Sequence, residues 1–197
     1  MSEPSRSGPK GDKRERTRAT LLEAARALIR EKGHEDTTLE DIAERAGMTT
    51  GAIYGNFKNR HDLFLALGQM YWPPIKPRVK PGASFADVMR AMADATIAAI
   101  PERATVAVGR LTGLAYTLAH EDMRARVASF TAESYAFGEA WLREVVKKEE
   151  LPMPAGELVR VIHALTEGLV FQRLLTPELM PDRVIRAAFL ALATKRQ

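Results

Sequence analysis

The sequence contains no cysteine, which excludes disulfides, thiolate nucleophiles and cysteine-ligated zinc. The absence agrees with a reducing compartment, and the cytoplasm is the expected location. Long apolar runs are missing too: Ala187 to Ala193 is among the longest, well short of the roughly 18 residues of a membrane span. The N-terminal stretch MSEPSRSGPKGDKRER lacks the apolar middle of a secretory signal. No segment alternates apolar and polar residues as a half-buried strand does. The four histidines, at 34, 61, 120 and 163, show no metal-ligand spacing. No paired carboxylates, nucleophile–base pair or glycine-rich phosphate loop is visible, so neither an enzyme nor a metal or cofactor is expected.

What the chain does have is helical periodicity. Its 197 residues are 46% hydrophobic, enough for a sizeable core in one domain or in a small domain plus a larger one. Residues 1–12 are rich in Ser, Pro, Gly and Lys and read as a disordered tail. From about Arg14 to Lys32 the set Leu21, Leu22, Ala25, Leu28 and Ile29 follows helical spacing, and Gly33 closes the helix. Thr37 with Glu40 matches a capping box. It opens a short helix that buries Ile42 and Ala43 and ends at Ala46–Gly47. A third short helix begins at Thr49 or Thr50, either of which can cap it.

Further on, a helix of about three turns (62–71) meets the proline-rich segment WPPIKPRVKPG, residues 72–82, an extended connector. Pro101 is expected to open a new helix, since a missing N–H costs little at that position. The remaining helical patterns cover 83–100, 102–119, 121–150, 156–175 and 181–195. The reading is all-α, about nine helices, with domains at 13–60 and 61–197.

The net charge is only +4, but its distribution is uneven. Residues 1–18 carry six basic and three acidic side chains, residues 19–44 three basic and seven acidic. Residues 45–60 carry Arg45, Lys58 and Arg60 with no acid. Basic segments thus flank an acidic helix pair, compatible with phosphate contact at two places and equally with solvated surface charge.

The segment TTGAIYGNFKNR, residues 49–60, raises a question of its own. Two glycines weaken a helix by ~1 kcal/mol each relative to alanine, yet Ile53 and Phe57 sit four apart on one helical face. A helix ending at Gly47, a short turn and a second short helix have the spacing of a helix-turn-helix. Its second helix lies in the DNA major groove. There Gly51, and Gly55 one turn later, leave the backbone free to approach the groove floor. The competing reading is that the glycines relieve crowding inside the protein.

At this point the residues resemble a known family. Gly33, Thr37-Thr38, Asp41-Ile42-Ala43, Ala46-Gly47, Thr49, Gly51, Ile53-Tyr54, Phe57, Lys58 and Leu63 resemble the DNA-binding domain of TetR-family transcriptional regulators. AHEDMRARV (119–127) and ALTEGLVFQRLL (164–175) resemble the junction of the family's sixth and seventh helices and its eighth helix. The resemblance implies that Thr50 and Tyr54 face bases, that Gly51 touches the groove floor, and that Leu39 and Gly55 occupy base-reading positions. It implies phosphate contacts from Thr37, Thr38, Thr49, Asn56, Lys58 and Arg60, with Arg14 and Arg16 reaching the backbone or minor groove. Gly55 departs from a family position that is often aromatic or polar. Asn56 stands where histidine or tyrosine is frequent.

In the larger half, Met123, Val127, Phe130, Ser134, Phe137, Trp141 and Val145 form one stripe, which by itself reads as core. The family encloses a small-molecule pocket there, which nominates Met92, Tyr116, His120, Phe130, Ser134, Phe137 and Trp141 as lining residues for a mainly apolar effector. The last two helices carry more apolar surface than one inward face needs. The resemblance assigns Leu158, Ile162, Leu165, Gly168, Leu169, Gln172, Val184, Ile185, Ala188 and Phe189 to a homodimer interface. The expectation is a repressor that binds a palindromic double-stranded operator as a homodimer and is released by a small effector. An activator, a global DNA-binding protein and a helical protein-binding module with weak DNA contact remain as alternatives. The connector at 72–82 either decouples the helix before it or docks through Trp72.

Overall fold

A computed structural model describes residues 9–194, with side chains from residue 13. Among the described residues all regular structure is helical: α1 (Pro9–Lys32), α2 (Leu39–Arg45), α3 (Thr50–Tyr54), α4 (Arg60–Tyr71), α5 (Phe85–Ala104), α6 (Ala107–Ala119), α7 (Glu121–Val145), α8 (Ala155–Leu175) and α9 (Asp182–Leu192), with a 3₁₀ turn at Lys148–Glu150. Among the described residues no helix is long and apolar enough to cross a membrane. The expected tail lies mostly outside the described residues, but α1 already includes positions 9–12.

The chain divides into two compact units: residues 1–73 with 108–124, and residues 74–107 with 125–197. Helix α4 stays with the first three helices, and the α6–α7 corner joins them.

In the first unit, α1 lays down Leu21, Leu22, Ala25, Leu28 and Ile29 as its buried face, as the spacing predicts. Gly33 (φ 85°) and Gly47 (φ 64°) end α1 and α2 in the left-handed region that favours glycine. At Gly47 the chain forms a Schellman motif. The Met48 amide donates to the Ala43 carbonyl at 2.9 Å and the Gly47 amide to that of Glu44 at 3.0 Å.

The capping box is displaced by one residue from Thr37–Glu40. Thr38 caps α2 by accepting from the Asp41 amide at 3.1 Å, and Asp41 accepts from the Thr38 amide at 3.0 Å. Thr37 is drawn inward instead, its hydroxyl donating to the Gly33 carbonyl at 2.6 Å. Asn59 caps α4, accepting from the Asp62 amide at 2.9 Å, and the helix starts two residues earlier than expected.

In the second unit, the core gathers Phe85, Val88, Met89 and Met92 of α5, Leu142 and Val145 of α7, Leu158 and Leu169 of α8, and Ile185 and Phe189 of α9. Pro101 does not open a helix, because α5 runs through it to Ala104. The proline supplies no amide to the Ile97 carbonyl one turn back, and the helix ends three residues later. The connector is docked rather than loose. Its Ile75 and Val79 pack against this core, and Lys76, Arg78 and Lys80 between and after them are exposed. Trp72, its first residue, is buried in the first unit beneath the guanidinium of Arg110 on α6.

Candidate nucleic-acid interface

Helix α3 has only five residues, too few to be stable alone in water. Its anchors are Ile53, with no exposed surface, and Phe57, 1% exposed. Two arginines of α1 hold its far end. Arg18 donates to the Asn56 carbonyl at 2.9 Å and lays its guanidinium 4.3 Å from the Phe57 ring centre. Arg14 donates to the Gly55 carbonyl at 3.3 Å. These carbonyls are among those a helix end leaves without intrahelical partners. The sequence reading placed Arg14 on DNA and gave Arg18 no role. An arginine spaced four residues on, facing the acid-free segment, is the signal that could have found it.

Opposite those anchors, α3 presents Thr49, Thr50, Gly51, Tyr54 and Gly55, all exposed, with Tyr54 at 58%. Thr49 occupies the cap position but makes no side-chain cap bond, so the hydroxyls of both threonines stand on the surface. Thr38 and Lys58 are exposed as well, and the Lys58 side chain has no ion pair among the described residues. Arg16 is also exposed. These residues form a polar and aromatic surface free of acidic groups along residues 45–60.

Neither glycine of this surface is required by the protein itself. A Cβ on Gly51 meets only the Thr49 hydroxyl at 3.7 Å. On Gly55 it meets carbonyl oxygens of Gly51 and Ala52 at 3.4 and 3.6 Å, ordinary contact distances. Gly55 has φ −70°, open to any L residue. Internal crowding therefore explains neither position.

Four expected DNA contacts are corrected. Thr37 is fully buried, and Leu39, at 8% exposed, faces the core beside Ile42. Both belong to the packing of α2 against α1, so neither side chain reaches the surface. Arg60 is turned inward: its guanidinium donates to the carbonyls of His34 and Glu35, the latter at 2.7 Å, and lies over the Phe64 ring. Asn56 folds its amide back to the Ala52 carbonyl at 2.8 Å. Arg45, counted in the basic segment, is instead a two-bond partner of Glu31 at 2.8 and 2.7 Å. Lys32 pairs with Asp41 at 2.6 Å. That lysine and the Thr38 hydroxyl hold the Asp41 carboxyl well below the usual range.

The expected effector residues are not brought together. Tyr116 and His120 belong to the first unit, where they pack with His34 and His61. Met92, Phe130, Ser134, Phe137 and Trp141 belong to the second. Met92 is a core residue there, and Phe137 is 63% exposed beneath the Lys76 ammonium. Phe130, Ser134 and Trp141 are half-buried along α7. In the second unit the inward face of α7 is set by Leu142 and Val145 near its end, with Val146 just after it; of these the stripe names only Val145.

The last helices divide similarly. Leu158, Leu169, Ile185 and Phe189 are buried inside their own unit, which removes them from any partner surface. Gly168 and Gln172 are exposed, and Ile162, Leu165, Val184 and Ala188 half-buried. The exposed stripe of α8 is Val161, Ala164, Gly168, Gln172 and Leu175, one register step from the expected one.

Residues 21–67 match the family profile described as bacterial regulatory proteins, tetR family. The transcriptional regulator TtgR of Pseudomonas putida is 51% identical over 51 residues, covering 26% of this chain and 24% of that protein. The match thus spans about a quarter of the length of such curated relatives. Among solved structures, NalD, the secondary repressor of the MexAB-OprM multidrug efflux pump in Pseudomonas aeruginosa, is 26% identical. Its match covers 90% of this chain and 93% of that one, with a TM-score of 0.56. Salmonella enterica GusR shares the fold at a TM-score of 0.67 and 17% identity, covering 96% and 99% of the two chains. Residues 21–67 thus carry a segment that matches the tetR-family profile, and the helical fold of the whole is similar to that of the solved repressor NalD.

Proposed function

We propose that this chain is a DNA-binding transcriptional repressor that reads a palindromic operator with α3 as a homodimer and releases it on binding a small, mainly apolar effector. The observation that carries the reading is the surface of α3. Thr50 and Tyr54 stand exposed, each followed by a glycine that nothing in the protein crowds, on a helix pinned from behind by Ile53, Phe57 and Arg18. Thr50 and Tyr54 contact base edges. Thr38, Thr49, Lys58 and Arg16 position phosphates.

The homodimer uses the exposed stripe of α8, with Ile162, Leu165, Val184 and Ala188 at its margins. A twofold pair sets two recognition helices one helical turn of DNA apart, roughly 34–36 Å, or a multiple of it, hence the palindrome. The effector is held along α7 in the second unit, where Phe130 and Trp141 offer apolar rings and Ser134 a hydroxyl. It shifts the dimer toward a state that fits successive grooves less well. The efflux-pump repressor NalD among the similar structures supports the direction of control.

Selection of bound sequences from random duplex DNA tests the reading. Enrichment of one palindrome, lost in the Thr50→Ala/Tyr54→Ala double variant, is the expected result. Binding to all duplexes alike, with a steep salt dependence and no preferred site, refutes it.

A further inference from the structure

The first unit contains a histidine cluster that the DNA contacts do not use. His34 after α1, His61 on α4 and His120 at the α6–α7 corner surround Tyr116 of α6, with ring centres 5.4, 5.9 and 4.0 Å from that of the tyrosine. His61 lies between two partners, with Nε2 3.0 Å from the Tyr116 hydroxyl and Nδ1 2.5 Å from Asp122 Oδ2. Either charge state of this ring satisfies both neighbours.

His120 is different. Its Nδ1 sits 2.8 Å from the Tyr116 carbonyl oxygen, which can only accept, so this nitrogen carries the hydrogen. In the neutral ring Nε2 is then a bare lone pair, and it faces Glu35 Oε1 at 3.5 Å. One acceptor opposes another. Protonation turns the same approach into an ion pair joining the α6–α7 corner to the turn between α1 and α2.

We propose that His120 with Glu35 forms a proton-gated latch that fastens the α6–α7 corner to the DNA-binding helices and strengthens operator binding as pH falls. The proposal rests on the DNA-binding reading above. A recognition unit already held in its presenting conformation has less freedom to lose on binding DNA.

Charged groups face the cluster from several elements. From α4, Arg60 brings a positive charge 5.6 Å from the Tyr116 ring centre, which opposes further protonation nearby. Burial first, and then Arg60, hold His34 below the ordinary imidazole range, so it stays the neutral ring of the cluster. Burial pushes the Tyr116 hydroxyl up, so it keeps its proton. Arg124 of α7 is turned to the Leu118 carbonyl at 2.7 Å. Glu35 and Asp122 supply the negative charge, one on each side of the joint.

The test is the titration of the His120 ring protons by NMR, together with operator affinity at constant ionic strength, in wild type and Glu35→Gln. Glu35 is exposed and its backbone carbonyl, which serves Arg60, survives the substitution. The expected result is a lower His120 midpoint in the variant. Between pH 8 and pH 6, affinity should rise about two- to fivefold more in wild type than in the variant, the size of a part-exposed ion pair. A midpoint unaffected by Glu35→Gln overturns the latch. A shifted midpoint with the same pH slope of affinity overturns its regulatory role. Failure to find an operator leaves the midpoint measurable, so the two readings fail separately.

Discussion

Gly51→Ala and Gly55→Ala separate what the recognition helix requires for folding from what it requires for binding. In the free protein both substitutions are open: the nearest atoms to the new methyl group lie at 3.7 Å for residue 51 and 3.4 Å for residue 55. Neither glycine is among those with positive φ. Replacing a glycine where alanine fits removes freedom from the unfolded chain and stabilises by about 0.4–1 kcal/mol. For a chain of this size that raises Tm by about 1–4 °C, readable by circular dichroism if unfolding is two-state. On DNA the same methyl group stands on the face between Thr50 and Tyr54. If it meets the groove floor, each half-site loses about 1–3 kcal/mol, tenfold or more in Kd. Tighter folding with weaker binding is the expected pair of results, from a melting curve and a titration against the selected operator. A Gly51→Ala protein that melts higher and binds unchanged refutes the close-approach argument for that residue. One that melts lower refutes the packing argument.

Arg18→Met removes the hydrogen bond to the Asn56 carbonyl and the cation over Phe57 while keeping an apolar stem. It should cost about 1–2 kcal/mol in denaturant unfolding and weaken operator binding although Arg18 reads no base. Gly168→Leu adds a side chain whose Cβ has no neighbour within 4 Å beyond its own stretch of helix. Its helical spectrum should persist while sedimentation equilibrium shows a weaker dimer, and an unchanged association constant would place the interface elsewhere. The Asp41 carboxyl is held down by Lys32 and the Thr38 hydroxyl. Its contribution to stability is therefore complete above the unfolded carboxylate value, ~3.9, and is lost as pH falls below it. Acid unfolding monitored by fluorescence should shift to lower pH relative to neutral stability in Asp41→Asn, which has no such contribution to lose.

Much of this was legible in the sequence, and the exceptions have specific causes. The buried faces of α1 and α2, the glycine stops at 33 and 47 and the anchors Ile53 and Phe57 follow from period and turn chemistry alone. Adjacent threonines defeated the capping assignment, since Thr37 and Thr38 each have an acid three residues on. Only the inward bond of Thr37 to Gly33 decides which one caps. In α8, apolar residues occupy nearly every turn position, so periodicity cannot tell the face that meets α5 from the face left open. That is why Leu158 and Leu169 were misplaced and Val161 and Leu175 overlooked. Counting charges along residues 45–60 likewise missed that Arg45 and Arg60 are engaged within the protein, by partners 14 and 25 or more residues away.

The two glycines of α3 become intelligible once the source of that helix's stability is located. Five residues that include Gly51 and end at a Gly55 cap have little propensity to be helical and too few hydrogen bonds to compensate. The order of α3 is supplied by its neighbours: a Schellman turn fixes its entry, Ile53 and Phe57 bury its inner face, and Arg18 and Arg14 bind the carbonyls at its exit. A helix fixed at both ends and behind does not need favourable residues on its outer face. That face is then free to be chosen for what it meets, and small residues beside Thr50 and Tyr54 are the choice that keeps the backbone close to it.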